Sequence, residues 1–113
     1  MESQLELYNG TGKYRDKLQQ ELPGVTAAHT AFRGEVYRDG ALSHKVKRLI
    51  ALAIALRVGC TRCIIAQTKF AVEAGATKSE VLEAVSVAMY MGGSPAIGWS
   101  WRVVKVLEEL GKW

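Results

Sequence analysis

The sequence has little of what membrane-spanning and secreted proteins need. Its longest unbroken apolar run, from Leu49 to Leu56, has eight residues, whereas a membrane span needs roughly 18 to 20. It has only two cysteines, too few for a disulfide-stapled secreted domain. The N-terminal stretch MESQLELYNG contains neither the basic nor the apolar region of a signal peptide. We therefore expect a cytoplasmic protein that does not enter a membrane.

The net charge of the chain is also small. Fifteen Lys and Arg against eleven Asp and Glu give a net charge of +4, which is modest for a nucleic-acid-binding protein. The cations are spread along the chain, with one loose cluster between His44 and Arg48. A solvated helix face explains this cluster better than a phosphate or nucleic-acid contact. We expect no nucleic-acid partner.

Strand signals are absent, and the pattern predicts an all-α protein. No alternating apolar and polar runs flank a hairpin turn, and the only two prolines stand where helices are expected to begin. A chain of 113 residues with 49% hydrophobic residues is one domain, residues 1–113, that can bury roughly two-thirds of its unfolded surface. It needs neither a disulfide framework nor a structural metal to fold, and no motif calls for a cofactor.

The sequence predicts a bundle of about six helices joined by short loops. Their approximate ranges are 11–21, 25–37, 43–58, 60–74, 77–92 and 94–110. Ser43 and Ser94 are expected N-caps, and Thr77 with Glu80 forms a capping box. The second half of the third helix is apolar on every side, which predicts burial all round in the core or at a subunit interface.

Cys60 and Cys63 stand at the start of the fourth helix, directly after Gly59. Residues three apart on a helix share a face, and their spacing permits a reversible disulfide. The positive end of the helix dipole favours thiolate, the reactive form of cysteine. One cysteine could attack a peroxide or disulfide, and the other could resolve the product.

Two other interpretations of the cysteine pair stay open. Cysteine is among the most buried residue types, so the pair could simply pack in the core. It could also be half of a zinc site, although a closed site needs four ligands and the chain has no second pair. His29 and His44 lie upstream at unsuitable spacing, so zinc would have to be shared between subunits.

Several segments together resemble one protein family. They are DGALS at 39–43 with the LIALA helix after it, CTRCI at 60–64, AVEAGATKSEVLEA at 71–84, and MGG at 91–93. Their order and spacing resemble the alkylhydroperoxidase D and carboxymuconolactone decarboxylase family, with the best match over residues 39–93. The resemblance implies an all-α fold that assembles into trimers or hexamers; we expect a homohexamer built as three dimers.

The resemblance also implies two activities. One branch of the family reduces hydroperoxides with a cysteine pair, so that here Cys63 would become the sulfenic acid and Cys60 would donate a proton and resolve it. The other branch decarboxylates a muconolactone without such a pair. The two cysteines place this chain nearer the redox branch, as a peroxidase or disulfide oxidoreductase that acts on a small hydroperoxide or disulfide. The thiol reductant is not specified by the sequence.

Two positions depart from the peroxidase pattern. Gln67 stands where that branch has a histidine, and Arg48 stands where it has a glutamate. Neither can act as a general base, because Arg stays charged and Gln does not titrate. Arg48 facing the pair would favour thiolate, and Gln67 would hydrogen-bond the sulfur or orient a peroxide, or else lie on the helix surface. Glu35 is a candidate replacement acid or base, or else a solvated side chain.

Two further functions compete with the redox one. A carboxymuconolactone-decarboxylase-like enzyme could hold a small carboxylate or lactone against Lys45, Lys47 and Arg48. A non-catalytic oligomeric or metal-binding subunit is the third candidate.

Overall fold

A computed structural model describes all residues, 1–113, and it is built from helices alone. The seven helices are α1 Gln4–Glu21, α2 Pro23–Val36, α3 His44–Val58, α4 Thr61–Glu73, α5 Lys78–Gly92, α6 Ser94–Trp99 and α7 Trp101–Glu109. The all-α expectation is confirmed. None of the helices combines the length and apolar character needed to cross a bilayer.

The first helix starts earlier than the sequence predicts. α1 begins at Gln4 instead of near residue 11, because the Glu109 carboxylate at the other end of the chain accepts hydrogen bonds from Ser3 Oγ and from the backbone of Gln4 and Leu5. These bonds satisfy N–H groups that a helix start leaves free. Burial alone would raise the pKa of Glu109, but these hydrogen bonds outweigh it and lower that pKa.

The last predicted helix is two helices, α6 and α7, that meet at Ser100. The Ser100 hydroxyl donates to the Ala96 carbonyl oxygen at 2.8 Å, a side-chain bond that bends helices. Ser94 is not the N-cap of α6: Gly93 takes that place, and Ser94 is the first helical residue. The predicted caps Ser43 and Thr77 do cap α3 and α5.

The core lies where α3 packs against α4 and α5, with α7 closing it from the side of α4. Its completely buried members include Leu52, Leu56, Ile64, Ala71, Val81 and Leu107. In contrast, α2 has no buried residue and packs mainly on α1. The protruding α2 therefore leaves a cleft between itself and the α3–α4 pair.

A single chain does not bury α3 on every side, so of the two expected explanations, core or subunit interface, the subunit interface stays a prediction. α4 and α5 cover one side of the helix, while Ile50, Ile54 and Val58 form an exposed stripe along the other. Ile54 has 58% of its surface exposed. An apolar stripe of this kind is typical of a surface that meets a partner.

Candidate functional site

Gly59 ends α3 in a left-handed conformation, with φ +82°, and turns the chain directly into the cysteine pair. A Cβ on this residue would lie 2.9 Å from the indole nitrogen of Trp99. Only glycine suits both the backbone angle and the close ring. The position of the pair therefore depends on this residue and on the packing of α6.

Cys60 is the N-cap of α4, and its sulfur accepts a hydrogen bond from the backbone N–H of Cys63 at 3.2 Å. The two sulfurs are joined as a disulfide, with 5.2 Å between the Cα atoms. Cys63 is exposed, whereas Cys60 is half-buried. Cys63 is thus the sulfur that an incoming molecule reaches first.

Cys63 lies in the wall of a cavity of about 460 Å³ between α1, α2 and the α3–α4 pair. The wall consists of four arginines, four aromatic rings and a few smaller groups: Arg15, Arg33, Arg48, Arg62, Tyr8, Phe32, Tyr37, Phe70, His29, Val36, Cys63, Ala66 and Gln67. Cys60 is not part of the wall, and no carboxylate is. The cavity is therefore cationic and partly aromatic.

Arg48 is held between two aromatic rings. Its guanidinium carbon lies 3.6 Å from the centre of the Tyr37 ring and 4.7 Å from that of Phe70, so both rings stabilise the cation. Its Nη1 donates to Gln67 Oε1 at 3.2 Å. Because arginine can only donate, the Gln67 oxygen is the acceptor, which orients the amide and leaves its N–H groups without a protein partner.

His44 completes this arrangement from the first turn of α3. Arg48 Nε donates to His44 Nε2 at 3.3 Å, and His44 Nδ1 lies 2.8 Å from the Tyr37 carbonyl oxygen. Since arginine cannot accept, Nε2 is the acceptor in this contact, and the Nδ1 side of the ring faces the Tyr37 carbonyl oxygen. Sequence reasoning missed His44 as a partner of Arg48; their four-residue spacing on one helix was the available signal.

Arg62, between the two cysteines, was also missed. Its Nη1 donates to the Tyr8 carbonyl oxygen at 3.2 Å and to Thr11 Oγ1 at 3.1 Å, and the guanidinium stacks on the Tyr8 ring at 4.2 Å. These contacts tie α1 to the start of α4. Its Nη2 is buried without a hydrogen-bond partner. No sequence signal in the N-terminal segment pointed to this contact.

The structure brings Cys63, Gln67 and Arg48 to one wall, but it leaves the other candidates elsewhere. The Glu35 side chain is 73% exposed and pairs with Arg38 at 3.1 Å, outside the cavity wall. Lys45 pairs with Glu80 at 2.8 Å, and Lys47 donates to the Arg38 carbonyl oxygen at 2.6 Å. The expected carboxylate patch of three cations therefore reduces to Arg48.

No cluster of three or more metal-binding side chains occurs in the structure. The Glu80 pKa is lowered, first by the hydrogen bond from Lys45 and then by the backbone of Thr77. That carboxylate belongs to the cap of α5 and lies outside the cavity wall. It stabilises the fold and does not belong to the site.

Comparisons with known proteins agree with the resemblance seen in the sequence. The profile of the carboxymuconolactone decarboxylase family matches residues 23–106. An uncharacterized protein encoded in the cox locus of Paracoccus denitrificans is 36% identical over 86 residues, covering 76% of this chain and 78% of that protein. An uncharacterized protein of Cupriavidus necator is 32% identical over 93 residues, covering 82% of each chain.

Solved structures show the same fold. A carboxymuconolactone decarboxylase family protein from Legionella pneumophila superposes with a TM-score of 0.92 at 28% identity, covering 99% of this chain and 100% of that one. One from Thermotoga maritima, whose description suggests involvement in an antioxidative response, has a TM-score of 0.71 at 35% identity, covering 76% and 89%.

Proposed function

The chain belongs to the carboxymuconolactone decarboxylase family, and from that premise we propose that it is a thiol-dependent peroxidase or disulfide oxidoreductase. The observation that carries the proposal is the unequal placement of the two cysteines. Cys63 is exposed in the cavity wall, whereas Cys60 lies behind it at the helix N-cap. This is the arrangement that an attacking thiol and a resolving thiol require.

In the first step, the Cys63 thiolate attacks the terminal oxygen of a hydroperoxide. The O–O bond breaks, Cys63 becomes a sulfenic acid, and the leaving alkoxide takes the proton of the Cys60 thiol to become an alcohol. The Cys60 thiolate that remains accepts the backbone N–H of Cys63, which lies 3.2 Å from its sulfur. The helix N-terminus stabilises this negative charge.

In the second step, the Cys60 thiolate attacks the Cys63 sulfenic acid. The S–S bond forms and hydroxide leaves. An external dithiol then reduces the disulfide: its thiolate attacks the accessible Cys63 sulfur, and Cys60 leaves as the thiolate that the N-cap stabilises. The dithiol is oxidised to its own disulfide, and both protein thiols are restored.

Arg48 and Gln67 replace the proton relay of the peroxidase branch with fixed charge and hydrogen bonding. Arg48 keeps a permanent positive charge at the cavity wall, which favours the thiolate of Cys63. Gln67 lies one helical turn after Cys63, and its amide N–H groups face no other protein acceptor. They would hydrogen-bond the sulfur or the peroxide oxygen. Glu35 has no place in this scheme.

We also propose that the protein works as a homohexamer of three dimers in the cytoplasm. The exposed stripe of Ile50, Ile54 and Val58 supports an oligomer. Cytoplasmic disulfides are usually transient and catalytic, and a pair at a helix start suits such a cycle. The number of subunits follows the family resemblance.

The test is a peroxidase assay of the reduced protein with a dithiol donor, alongside free-thiol counts before and after one equivalent of hydroperoxide. We expect the wild type to lose two thiols and turn over, Cys63→Ser to be inactive, and Cys60→Ser to stop at a trapped sulfenic acid. Two thiols that survive peroxide treatment would overturn the proposal.

A decarboxylase-like activity on a small carboxylate is the second candidate, and the four arginines of the cavity favour it. In that reaction the cysteine pair has no role. A Cys60→Ser, Cys63→Ser double variant would then keep full activity on the lactone or carboxylate, whereas the redox function predicts that it loses all turnover.

A further inference from the structure

The cavity beside Cys63 collects positive charge from four different helices. Arg15 comes from α1, Arg33 from α2, Arg48 from α3 and Arg62 from α4. A second pocket shares three of these arginines and likewise has no carboxylate in its wall, whereas Asp39 lies with Arg33 and Arg48 in the wall of a third. Bringing like charges together is unfavourable unless a counter-charge occupies the space between them.

Three cations elsewhere on the protein have that counter-charge within the chain. Arg38 pairs with Glu35, Lys45 with Glu80, and Lys69 with Glu73. Inside the cavity, Arg33 and Arg62 have no carboxylate partner, and Arg15 has only a 3.4 Å contact to its neighbour Asp16. The wall thus holds four guanidinium groups and no carboxylate, and an anionic ligand would supply the missing counter-charge.

Arg62, like Arg102 outside the cavity, has one guanidinium nitrogen without a hydrogen-bond partner. Its Nη1 is fully used by the backbone and hydroxyl of α1, yet its Nη2 is buried and unbonded. A buried donor without an acceptor costs free energy. Because that nitrogen is closed off from solvent, Arg62 adds charge to the cavity and ties α1 to α4, and direct contacts to a ligand fall to Arg15 and Arg33.

The rest of the wall is suited to an apolar body. Phe32 is 69% exposed toward solvent and cavity, and Val36, Ala66 and Phe70 join it in the wall. Contact between these side chains and an aromatic or branched group of a ligand would bury apolar surface, which contributes favourable binding free energy. The reactive sulfur of Cys63 belongs to the same wall, so one molecule can contact the cations, the apolar side chains and the thiol.

We propose that the substrate is an organic hydroperoxide that carries a carboxylate and an aromatic or branched apolar body. Arg15 and Arg33 bind the carboxylate, the charge of Arg62 supports them, and Cys63 attacks the terminal peroxide oxygen. This inference rests on the proposed peroxidase function. The O–O bond breaks as described above, Cys60 supplies the proton, and the product is the corresponding hydroxy-carboxylate, which keeps its carboxylate.

The kinetic test compares cumene hydroperoxide with its para-carboxylate derivative and with the methyl ester of that derivative. We expect KM for the carboxylate to be at least about tenfold lower than for the two neutral peroxides, a ratio worth roughly 1.4 kcal/mol. The preference should shrink as ionic strength rises, because salt screens the arginines. Equal KM values for the three peroxides would overturn the inference.

Two variants locate the binding group. Arg33→Gln and Arg15→Gln should each raise KM for the carboxylated peroxide several-fold and change KM for cumene hydroperoxide much less. The matched control is Lys17→Gln, which removes one positive charge from α1 outside the cavity wall. If Lys17→Gln changes KM as much as Arg15→Gln does, general charge attraction explains the preference and the inference fails.

A binding experiment separates this inference from the peroxidase proposal. Calorimetry of 4-isopropylbenzoate with the Cys60→Ser, Cys63→Ser variant needs no chemistry at all. Binding of the benzoate that is lost in Arg33→Gln supports the anion site even if no peroxide is ever reduced. Peroxide turnover without benzoate binding overturns the anion site and leaves the peroxidase function standing.

Discussion

Replacing Arg48 by methionine tests whether a fixed charge can stand in for a proton relay. Methionine keeps an unbranched side chain between the Tyr37 and Phe70 rings, which lie 3.6 Å and 4.7 Å from the guanidinium carbon, but it removes the charge. Arg48→Lys is the matched control, because it keeps the charge and loses the flat guanidinium.

The expected magnitude follows from the geometry. Arg48 Nη1 lies 3.2 Å from Gln67 Oε1, and Gln67 is one helical turn from Cys63, so the charge is roughly 7 Å from the sulfur. At that distance, effective dielectric constants between about 80 and about 20 give roughly 0.6 to 2.4 kcal/mol. Because Cys63 is exposed, we take about 1 kcal/mol, somewhat less than one pKa unit.

The assay is the ultraviolet absorbance of the thiolate in the reduced protein across pH, with Cys60 replaced by Ser so that only Cys63 titrates. The Cys63 thiolate should form at higher pH in Arg48→Met than in the parent, and close to the parent value in Arg48→Lys. The difference should shrink in high salt. If Arg48→Met titrates like the parent, the charge does not activate the thiol.

Three other outcomes follow from the fold. The pKa of Glu109 is lowered in the folded protein, so the unfolded chain takes up a proton first as pH falls. The contribution of Glu109 to the free energy of unfolding is therefore full above roughly pH 5 and is lost as pH falls through the ordinary carboxyl pKa toward the lower folded one. In urea melts, the free energy of unfolding should decline less steeply with acid in Glu109→Gln than in the wild type. Gly59→Ala forces a left-handed φ of +82° and a Cβ 2.9 Å from the Trp99 ring nitrogen, so it should lower the free energy of unfolding by about 1 to 3 kcal/mol. Gly10→Ala, with nothing within 4 Å, should gain up to about 1 kcal/mol in the same urea melt. Light scattering of the wild type at micromolar concentration should give a mass above the 12.4 kDa of one chain, and Ile54→Lys should lower that mass to the value of one chain. A wild-type mass equal to that of one chain would show that the oligomer proposal is wrong.

The sequence alone was enough for features that depend on neighbouring residues. The all-α fold class, the caps Ser43 and Thr77, and the end of the third helix before Gly59 depend on local backbone chemistry. The same holds for the placement of the cysteine pair at the start of a helix, because a glycine stop followed by an apolar-periodic segment marks that start. Interactions between residues close in sequence can be predicted from the sequence itself.

The tertiary structure decided which distant side chains meet. Arg48 and Gln67 were expected near the cysteines, but nothing in the sequence places Arg15, Arg33 and Arg62 in the same wall, since they come from three separate helices. The physical reason is that the angle between α2 and the rest of the bundle depends on side-chain packing between helices, which the residues of α2 do not determine by themselves. For the same reason Glu35 could be proposed from sequence, and only the fold shows it turned to solvent.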